Sequence, residues 1–412
     1  MRKIQENSMY VIKKVWVKSL GLMIALLLIV SSSVHAIWLG QSQVNPYVEI
    51  QGNYDSNIYR ASDQGDIESD FIIVLSPGIH VEFPTTKESS YRFLANYRAN
   101  LNFYTKNGDA TIDPDSQLNT TEHRLDAQAR LNFASGLNLS TGYILNLGSV
   151  PPDFIGDTRD KYTEHEIQAQ AGYKFVDRYE VQLGYDGTFR KYKEENIKID
   201  DITTHRLDAT FFYRLFPSLS LLGGGGYAKI DRQEPAYSDS TEYRGFGGFR
   251  YEATERLTGI LKAGVVSKKF ANTAFGDTTN AYVSGELVAN FSENTKASVR
   301  LNRDLAETSV TEDSAENGAY YVITGVRATL NHTFATAPNL SLAGLVSYQK
   351  KTYPEDLNDR SDNALEVGVG AEYKFYKFII VGVKYAHSGN DSNIDANDFS
   401  DNLVTLSIRA IL

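Results

Sequence analysis

The 412-residue chain has no cysteine, 10 prolines and 2 tryptophans. Without cysteine it has neither disulfide bonds nor thiolate metal sites, and no lipid can be attached to a cysteine behind an export signal. Its apolar run at residues 20–30 is about eleven residues long, whereas a membrane-spanning helix needs roughly 20. These absences exclude a disulfide scaffold, a lipid-anchored lipoprotein and a helical membrane span at this run.

The first 36 residues have the pattern of a secretory signal peptide. Lys13, Lys14 and Lys18 precede the apolar run, and a Val-His-Ala tripeptide ends at Ala36, the expected cleavage position. We therefore expect residues 1–36 to be removed and residues 37–412 to form the mature protein. Translation can begin at Met1 or at Met9, because the stretch between them adds nothing that a signal needs.

Acidic residues outnumber basic ones. Removing the 5 basic and 1 acidic residues of the signal leaves 36 basic and 50 acidic residues, a net charge of −14. Such a chain is not expected to bind nucleic acid, and its acids concentrate in predicted loops such as residues 388–401. The 26 tyrosines and 20 phenylalanines suit β-strands and membrane-interface belts.

The strongest pattern is the alternation of apolar and polar residues. In residues 91–103 every odd position is aromatic, alanine or leucine, and most even positions are arginine or asparagine. Because a strand sends successive side chains to opposite faces, one face would meet lipid and the other water. The pattern predicts 18 strands, with 16 as the alternative count, at residues 47–54, 71–83, 90–104, 122–133, 137–147, 162–175, 179–192, 203–216, 219–231, 241–253, 257–270, 280–292, 295–308, 319–334, 340–353, 362–376, 378–387 and 402–412.

The connections between these strands alternate in length. Every second one is short, as at Glu293-Asn294, and the others run to about 9 to 17 residues. Short periplasmic turns and long outer loops explain both sets, and an even strand count places both termini in the periplasm. The predicted fold is an all-β, transmembrane, antiparallel up-and-down β-barrel in the bacterial outer membrane. A soluble sandwich or β-helix is the alternative, but neither has a reason to alternate its turn lengths.

Aromatic residues recur where strands run into the short turns. They predict an aromatic girdle on the lipid face, with Phe216 one residue out of phase. The girdle positions are Phe83, Phe133, Phe175, Phe291, Phe334 and Phe375. A repeated motif places His123, His165 and His205 at the opposite end of the lipid face, where an amphipathic ring suits the membrane interface better than a metal or catalytic role.

No arrangement of residues predicts catalysis. The carboxylates of Glu122 and Asp126 lie close enough for acid-base work, but they point into a water-filled lumen where charges are ordinary. The glycines from Gly223 to Gly226 lack the lysine and hydroxyl of a phosphate loop and indicate a bend or a close approach to the wall. We predict a protein that is not an enzyme and has no metal or cofactor, with an outer-membrane hydrolase as the enzymatic alternative.

Arginines recur on the face predicted to line the lumen. They form either a mixed lining with inward carboxylates such as Asp186 and Glu366, or a track that tolerates anions or contacts saccharides. Arg300 and Arg327 are expected to lie opposite each other, which is unfavourable unless acids or an anionic ligand intervene. The first four of the set below should share one wall of an open or partly constricted lumen. The set is Arg92, Arg98, Arg124, Arg130, Arg190, Arg206, Arg244, Arg250, Arg300 and Arg327.

A short motif lies where the first predicted strand meets its loop. The sequence reads Tyr54-Asp55-Ser56-Asn57, followed by Pro77-Gly78 in the next strand. It resembles a β-barrel porin family found with exopolysaccharide and capsule biosynthesis systems in Gram-negative bacteria. The resemblance implies a barrel that assists secretion of a polysaccharide beside an export complex in the periplasm or outer membrane, surrounded by lipid and lipopolysaccharide.

The sequence therefore leaves two channel functions open. The resemblance favours passage of an exopolysaccharide across the outer membrane, and the alternative is a general or sugar-selective porin for small solutes. Residues 105–121, the longest predicted loop, are too few for a plug domain, which argues against an energised transporter. The chain ends in Leu412 where barrels commonly end in phenylalanine, although the final strand keeps its lipid-facing alternation.

Overall fold

The computed structural model describes residues 37–39, 41–62, 67–86, 89–106, 118–150, 160–193, 201–233, 239–254, 256–272, 275–308, 320–356, 359–376 and 378–411. The predicted signal peptide and Leu412 lie outside the described residues. No helix within the described ranges is long and apolar enough to cross a membrane.

The described strands form one antiparallel sheet that closes on itself. They are β1 (Ile37–Leu39), β2 (Ser42–Asp55), β3 (Asp70–Phe83), β4 (Tyr91–Tyr104), β5 (Thr120–Asn132), β6 (Leu137–Ser149), β7 (Lys161–Phe175), β8 (Tyr179–Tyr192), β9 (Ile202–Phe216), β10 (Leu219–Arg232), β11 (Ser240–Thr254), β12 (Leu257–Phe270), β13 (Thr278–Ser292), β14 (Thr295–Glu307), β15 (Tyr320–Phe334), β16 (Ala337–Thr352), β17 (Ser361–Lys374), β18 (Ile379–Ser392) and β19 (Phe399–Ile411). Each strand from β2 to β19 pairs with its sequence neighbour, and β19 pairs back with β2 through partners such as Ile408 and Ile50. Strand β1 adds a short pairing to the start of β2.

The predicted barrel of 18 strands is confirmed, with the short strand β1 in addition and with differences at strand ends. Strand β2 begins at Ser42 rather than at residue 47, and β18 continues to Ser392 rather than stopping at residue 387. Both extensions carry mostly polar side chains. The backbone ladder continues where a strand projects beyond the lipid, but the apolar alternation that reveals it ends there.

The connections distinguish two ends of the barrel. Turns of two to four residues, such as Glu293-Asn294 between β13 and β14, together with the seven-residue β3–β4 connection define the short-turn end, and the opposite end is the long-loop end. Gly136 in the β5–β6 turn has a φ of 89°, and a Cβ atom there would stand 2.7 Å from the carbonyl oxygen of Lys174. The turn therefore requires glycine.

The outer face carries an aromatic belt at the short-turn end. The predicted phenylalanines occupy outward positions there, and Phe291 and Phe375 expose 66% and 53% of their surfaces. Phe216 leaves the phase because β9 has one extra residue at a β-bulge opposite Leu219 and Ser220. The predicted girdle and its one irregularity are both present.

A second belt at the long-loop end pairs histidines with tyrosines of the neighbouring strand. In each pair the Nδ1 atom of the histidine lies 2.8 to 2.9 Å from the tyrosine hydroxyl. The pairs are His123 with Tyr97, His165 with Tyr143, and His205 with Tyr185. Amphipathic rings at this height match the membrane interface rather than a catalytic centre.

Candidate functional site

The interior face of the barrel carries the predicted arginines. Arg92 lies opposite Arg130, and Arg98 lies opposite Arg124, so these four share one wall formed by β4 and β5. The residues between them, such as Phe93, are exposed on the outer surface. The remaining six occupy inward positions of β8, β9, β11, β14 and β15: Arg190, Arg206, Arg244, Arg250, Arg300 and Arg327.

Eight of these arginines have a carboxylate partner. The pairs are Arg92–Glu82 (2.6 Å), Arg124–Asp126 (2.8 Å), Arg190–Glu164 (2.6 Å), Arg206–Glu242 (3.4 Å), Arg244–Asp304 (2.9 Å), Arg250–Glu180 (2.7 Å), Arg300–Glu286 (2.7 Å) and Arg327–Glu366 (3.4 Å). At these positions the lining consists of mixed ion pairs. Their charges are largely compensated by carboxylates inside the barrel.

Arg98 and Arg130 differ from the others. Among the described residues, neither makes an ion pair with a carboxylate, and Arg130 is exposed to the lumen while Arg98 is half-buried. Arg124 and Arg92, which lie opposite them, form ion pairs with the nearby carboxylates of Asp126 and Glu82. Two guanidinium groups on the β4–β5 wall are therefore available to a solute.

An open cavity of about 570 Å³ lies on the inner face beside Arg130. Gly142 and Gly184 form part of its floor. A Cβ atom on Gly142 would come no closer than 3.7 Å to Gln168, and one on Gly184 would lie 4.0 Å from Asp208. Because packing does not require glycine at either position, the missing side chains leave room for a solute. The polar lining includes Arg92, Asp126, Gln128, Arg130, Gln168 and Asp186.

The motif at residues 54–57 lies away from this wall and joins the first strand to the last. Tyr54 points outward, whereas the buried Asn57 accepts a hydrogen bond from the Ala61 amide and donates to the carbonyl oxygens of Ala61 and Ser400. The Ser56 hydroxyl donates to Asp401 on β19. These contacts connect the loop after β2 to β19 and form a clasp over the seam, the β2–β19 pairing that closes the barrel.

The second part of the motif fits the wall of β3. Pro77 faces outward, and the pairing of β3 with β4 is interrupted at Ser76 and Pro77, since proline has no N–H to donate. Gly78 faces inward beneath the ring of Tyr47. The motif residues therefore shape the barrel and do not converge on the cavity beside Arg130.

Two buried apolar clusters narrow the lumen, one near the long-loop end and one that extends from that end to Phe212 and Leu222, close to the short turn between β9 and β10. The loop cluster consists of Ile58, Tyr59, Ile72, Val74 and Leu118, in which loop residues cover the inner face of β3. The hairpin cluster consists of Phe212, Leu222, Phe246, Val266, Phe270, Tyr282, Leu305, Tyr320 and Val322. Its centre on β12 is nine strands from β3 in an eighteen-strand barrel, so the two clusters enter from opposite walls.

A second cavity of about 500 Å³ lies between the first long loop and the wall of β15 to β19. Arg60, Arg327 and Phe399 border it, and the Arg60 guanidinium lies 5.5 Å from the centre of the Phe399 ring. The carboxylates of Asp55 and Asp401 border it as well. Like the cavity beside Arg130, it is lined by two arginines and three carboxylates.

Strand parity locates the lumenal arginines but misses both apolar clusters. Their signal in the sequence is the loss of alternation, since Phe71 to Leu75 is continuously apolar and Phe211-Phe212 and Val265-Val266 put apolar side chains on both faces. A strand that is apolar on both faces is covered on both faces. Inside a barrel, that cover has to come from a loop or hairpin that folds into the lumen.

A closed barrel of eighteen antiparallel strands, with aromatic belts outside and a charged, water-exposed wall inside, is the architecture of an outer-membrane porin. Residues 36–411 match the family model described as "Putative beta-barrel porin 2", and the chain belongs to that family. It is therefore a porin-type protein of the bacterial outer membrane. No curated protein shows a significant match to the chain.

The fold is similar to solved porins of Pseudomonas. OccK3 (OpdO) of Pseudomonas aeruginosa is 15% identical, with 90% of this chain and 96% of that chain covered and a TM-score of 0.45. A BenF-like porin of Pseudomonas fluorescens Pf-5 is 14% identical, with 91% and 100% covered and a TM-score of 0.49. OccK1 (OpdK) of Pseudomonas aeruginosa is 11% identical, with 90% and 99% covered and a TM-score of 0.47.

Proposed function

We propose that this porin is a passive channel for small water-soluble solutes and that it favours solutes carrying a carboxylate or another anionic group. The observation that carries the proposal is the wall of β4 and β5, where Arg98 and Arg130 have no acidic partner among the described residues. The cavity beside Arg130 provides room for a small solute at that wall.

The chemistry of the cavity suits weak binding of an anion. A guanidinium presents forked N–H donors that match a carboxylate, so Arg130 can hold an anionic group through two parallel hydrogen bonds. The amides of Gln128 and Gln168 add donors and acceptors, while the carboxylates of Asp126, Glu166 and Asp186 in the same lining weaken the attraction. Weak binding favours conduction, because a solute has to leave as readily as it enters.

Export of an exopolysaccharide is the second candidate function. The resemblance of the motif at residues 54–57 supports it. The narrowing of the lumen favours the small-solute channel instead, because the loop cluster and the hairpin cluster enter from opposite walls and a polymer would have to pass between them. The small-solute channel is therefore the better supported of the two functions.

The proposal includes an orientation in the membrane. Short turns face the periplasm in bacterial barrels, so the short-turn end and both termini would lie on the periplasmic side after removal of the signal peptide. The outer belts would then contact phospholipid at one end and lipopolysaccharide at the other.

Solute passage through the purified protein tests the proposal. In proteoliposomes, swelling should be fast in small carboxylates and monosaccharides and should fall steeply for oligosaccharides. Absence of swelling in every small solute, combined with loss of a surface polysaccharide in a deletion strain, would support export and overturn the porin proposal.

A substitution in the cavity floor tests whether solutes use the wall beside Arg130. The variant Gly142→Trp should slow swelling, because an indole would occupy the open space in the lumen. The matched control is Gly344→Trp, since Gly344 lies on the outer face opposite the exposed Leu330 and a Cβ atom added there would have no contact within 4 Å. Equal swelling rates in both variants would show that solutes pass elsewhere.

A further inference from the structure

The long-loop half of the β14–β15 hairpin separates from β13, while β15 stays paired with β16 as far as Val322 and Thr352. Pairing of β13 with β14 stops at Val283 and Arg303, although β13 begins at Thr278 and β14 extends to Glu307. Pairing between β14 and β15 continues to Glu307 and Tyr320. The two strands therefore stay together while they separate from β13. We call residues 304–307 and 320–323 the inner hairpin.

The buried side chains show on which side of the wall the inner hairpin lies. Leu305, Tyr320 and Val322 occupy the same face as the lipid-exposed Leu301 and Val326, yet each is less than a tenth exposed. They join the hairpin cluster, whose other members include inward residues of β9 to β13. The outward face of the inner hairpin is therefore packed against the inner face of the neighbouring wall.

Buried charged side chains hold the inner hairpin against the wall. Lys268 on β12 is fully buried, and its ammonium group donates hydrogen bonds to Glu242 on the wall and to Glu307 on the inner hairpin. Arg232 on β10 donates to Glu307 and, at 2.7 Å, to the carbonyl oxygen of Thr308. Arg244 on β11 donates to both carboxylate oxygens of Asp304 on the inner hairpin, at 3.0 and 2.9 Å.

The distance that these contacts span indicates how far the end of β14 lies from its place in the wall. Strands β10 and β14 are four places apart in the sheet, and neighbouring strands are spaced by about 4.8 Å. An Arg232 side chain lying along the wall would not cover that distance. The end of β14 therefore crosses the inner face of β11 to β13.

We propose that the inner hairpin sets the size limit of the pore and that Lys268 is a positioning residue that, together with Arg232 and Arg244, holds it in the lumen. The inner hairpin faces the loop cluster from the opposite wall, so any displacement of the hairpin changes the width of the opening between the two. The Lys268 ammonium offsets the repulsion between Glu242 and Glu307. Without that cation Glu242 would keep its arginine partners on the wall and Glu307 would keep Arg232, but the direct bridge between the two carboxylates would be lost and the hairpin would be held less tightly.

Single-channel recordings of the full-length mature protein test this inference, which rests on the lumen being conductive. Lys268→Met should raise the conductance, or add a second and larger level, and should admit oligosaccharides that the wild-type protein rejects. Lys268→Arg should retain the wild-type conductance because the cation is kept. Lys384→Met is the matched control, since Lys384 pairs with Glu372 on the lumenal wall but is 54% exposed and lies away from the inner hairpin.

A cross-link provides the test that does not depend on how well Lys268→Met folds. The chain has no cysteine, and the rings of Phe270 and Tyr320 lie 5.9 Å apart across the contact. Cysteines at these two positions, joined by a short bis-maleimide, should return the Lys268→Met channel to the wild-type conductance and size limit. In the otherwise wild-type background the joined pair should conduct like the unmodified protein.

Three results would overturn the inference. The first is an unchanged conductance and size limit in a folded Lys268→Met protein, and the second is an increase of the same size in Lys384→Met. The third is a joined cysteine pair that leaves the enlarged conductance and size limit of Lys268→Met unchanged, because then the position of the inner hairpin does not set the opening. A wild-type protein that conducts nothing contradicts the proposed function itself and is thereby distinguished from these results.

Discussion

Arg300 lies directly opposite Arg327 across the β14–β15 pair. Each guanidinium meets a carboxylate on its other side, with Glu286 at 2.7 Å and Glu366 at 3.4 Å. The four side chains belong to one register row that runs from β13 to β17 through Ser347. Acids rather than a ligand compensate this like-charge pair, so the row has no net charge.

Removing the two acids of this row should make the pore more selective for anions. In the double variant Glu286→Gln and Glu366→Gln, two uncompensated arginines would face the lumen, and the reversal potential in a salt gradient should shift toward that of chloride. The side chains are 39% to 67% exposed, so water screens the pairs and the stability loss should stay below about 1 kcal/mol. Glu293→Gln, in a short turn outside the lumen, is the control, and an equal shift there would contradict the assignment.

The opposite shift is expected on the other wall. Replacing both Arg98 and Arg130 by glutamine removes two cations that have no acidic partner among the described residues, so the reversal potential should move toward the cation. The control double variant is Lys191→Gln with Lys350→Gln, because both lysines are exposed on the outer face and the net change in charge is the same. If the two double variants shift the potential equally, the β4–β5 wall does not govern selectivity.

Strand parity accounts for what could be predicted about the lumen. In a barrel the inward and outward faces alternate along each strand, so the position of Arg92 opposite Arg130 follows from counting residues once the turns are located. The irregularity at Phe216 was visible in the sequence for the same reason. The residue types at the turns and the two-residue alternation along each strand are sufficient to predict which side chains line the wall.

The position of the inner hairpin could not be predicted by the same rule. Leu305 and Val322 keep the lipid-facing parity, and a lipid-facing side chain and one buried against another strand are equally apolar. Whether the hairpin stays in the wall depends on tertiary contacts from distant strands, such as Lys268 with Glu307. The role of Asn57 could not be predicted either, because its partner Ser400 lies at the far end of the chain and comes close only when β19 pairs with β2.

The clasp over that seam should contribute to stability rather than to conduction. Asn57→Ala would leave the Ala61 amide and two carbonyl oxygens without their side-chain partner in a buried position. A buried polar group without a partner costs about 1 to 3 kcal/mol. The folded band on unheated gels should therefore disappear at lower urea concentration than in the wild type. Asn132→Ala, at an exposed strand end, should not change the midpoint, and altered conductance without altered stability would contradict this role.

The last prediction separates the two faces of one strand at the centre of the membrane. On β13, Leu287 points outward and is 46% exposed, whereas Ser284 points into the lumen between Lys262 and Asn302. An arginine facing lipid near the bilayer midplane costs about 2 to 4 kcal/mol, while a charge on the lumenal face remains in water. Leu287→Arg should therefore lower the free energy of unfolding in lipid vesicles by that amount. Ser284→Arg, which would lie opposite Lys262, should lower it by less while shifting the reversal potential toward anions. Equal destabilisation by both substitutions would mean that the face opposite Leu287 is not in contact with water, and the channel itself would then be in question.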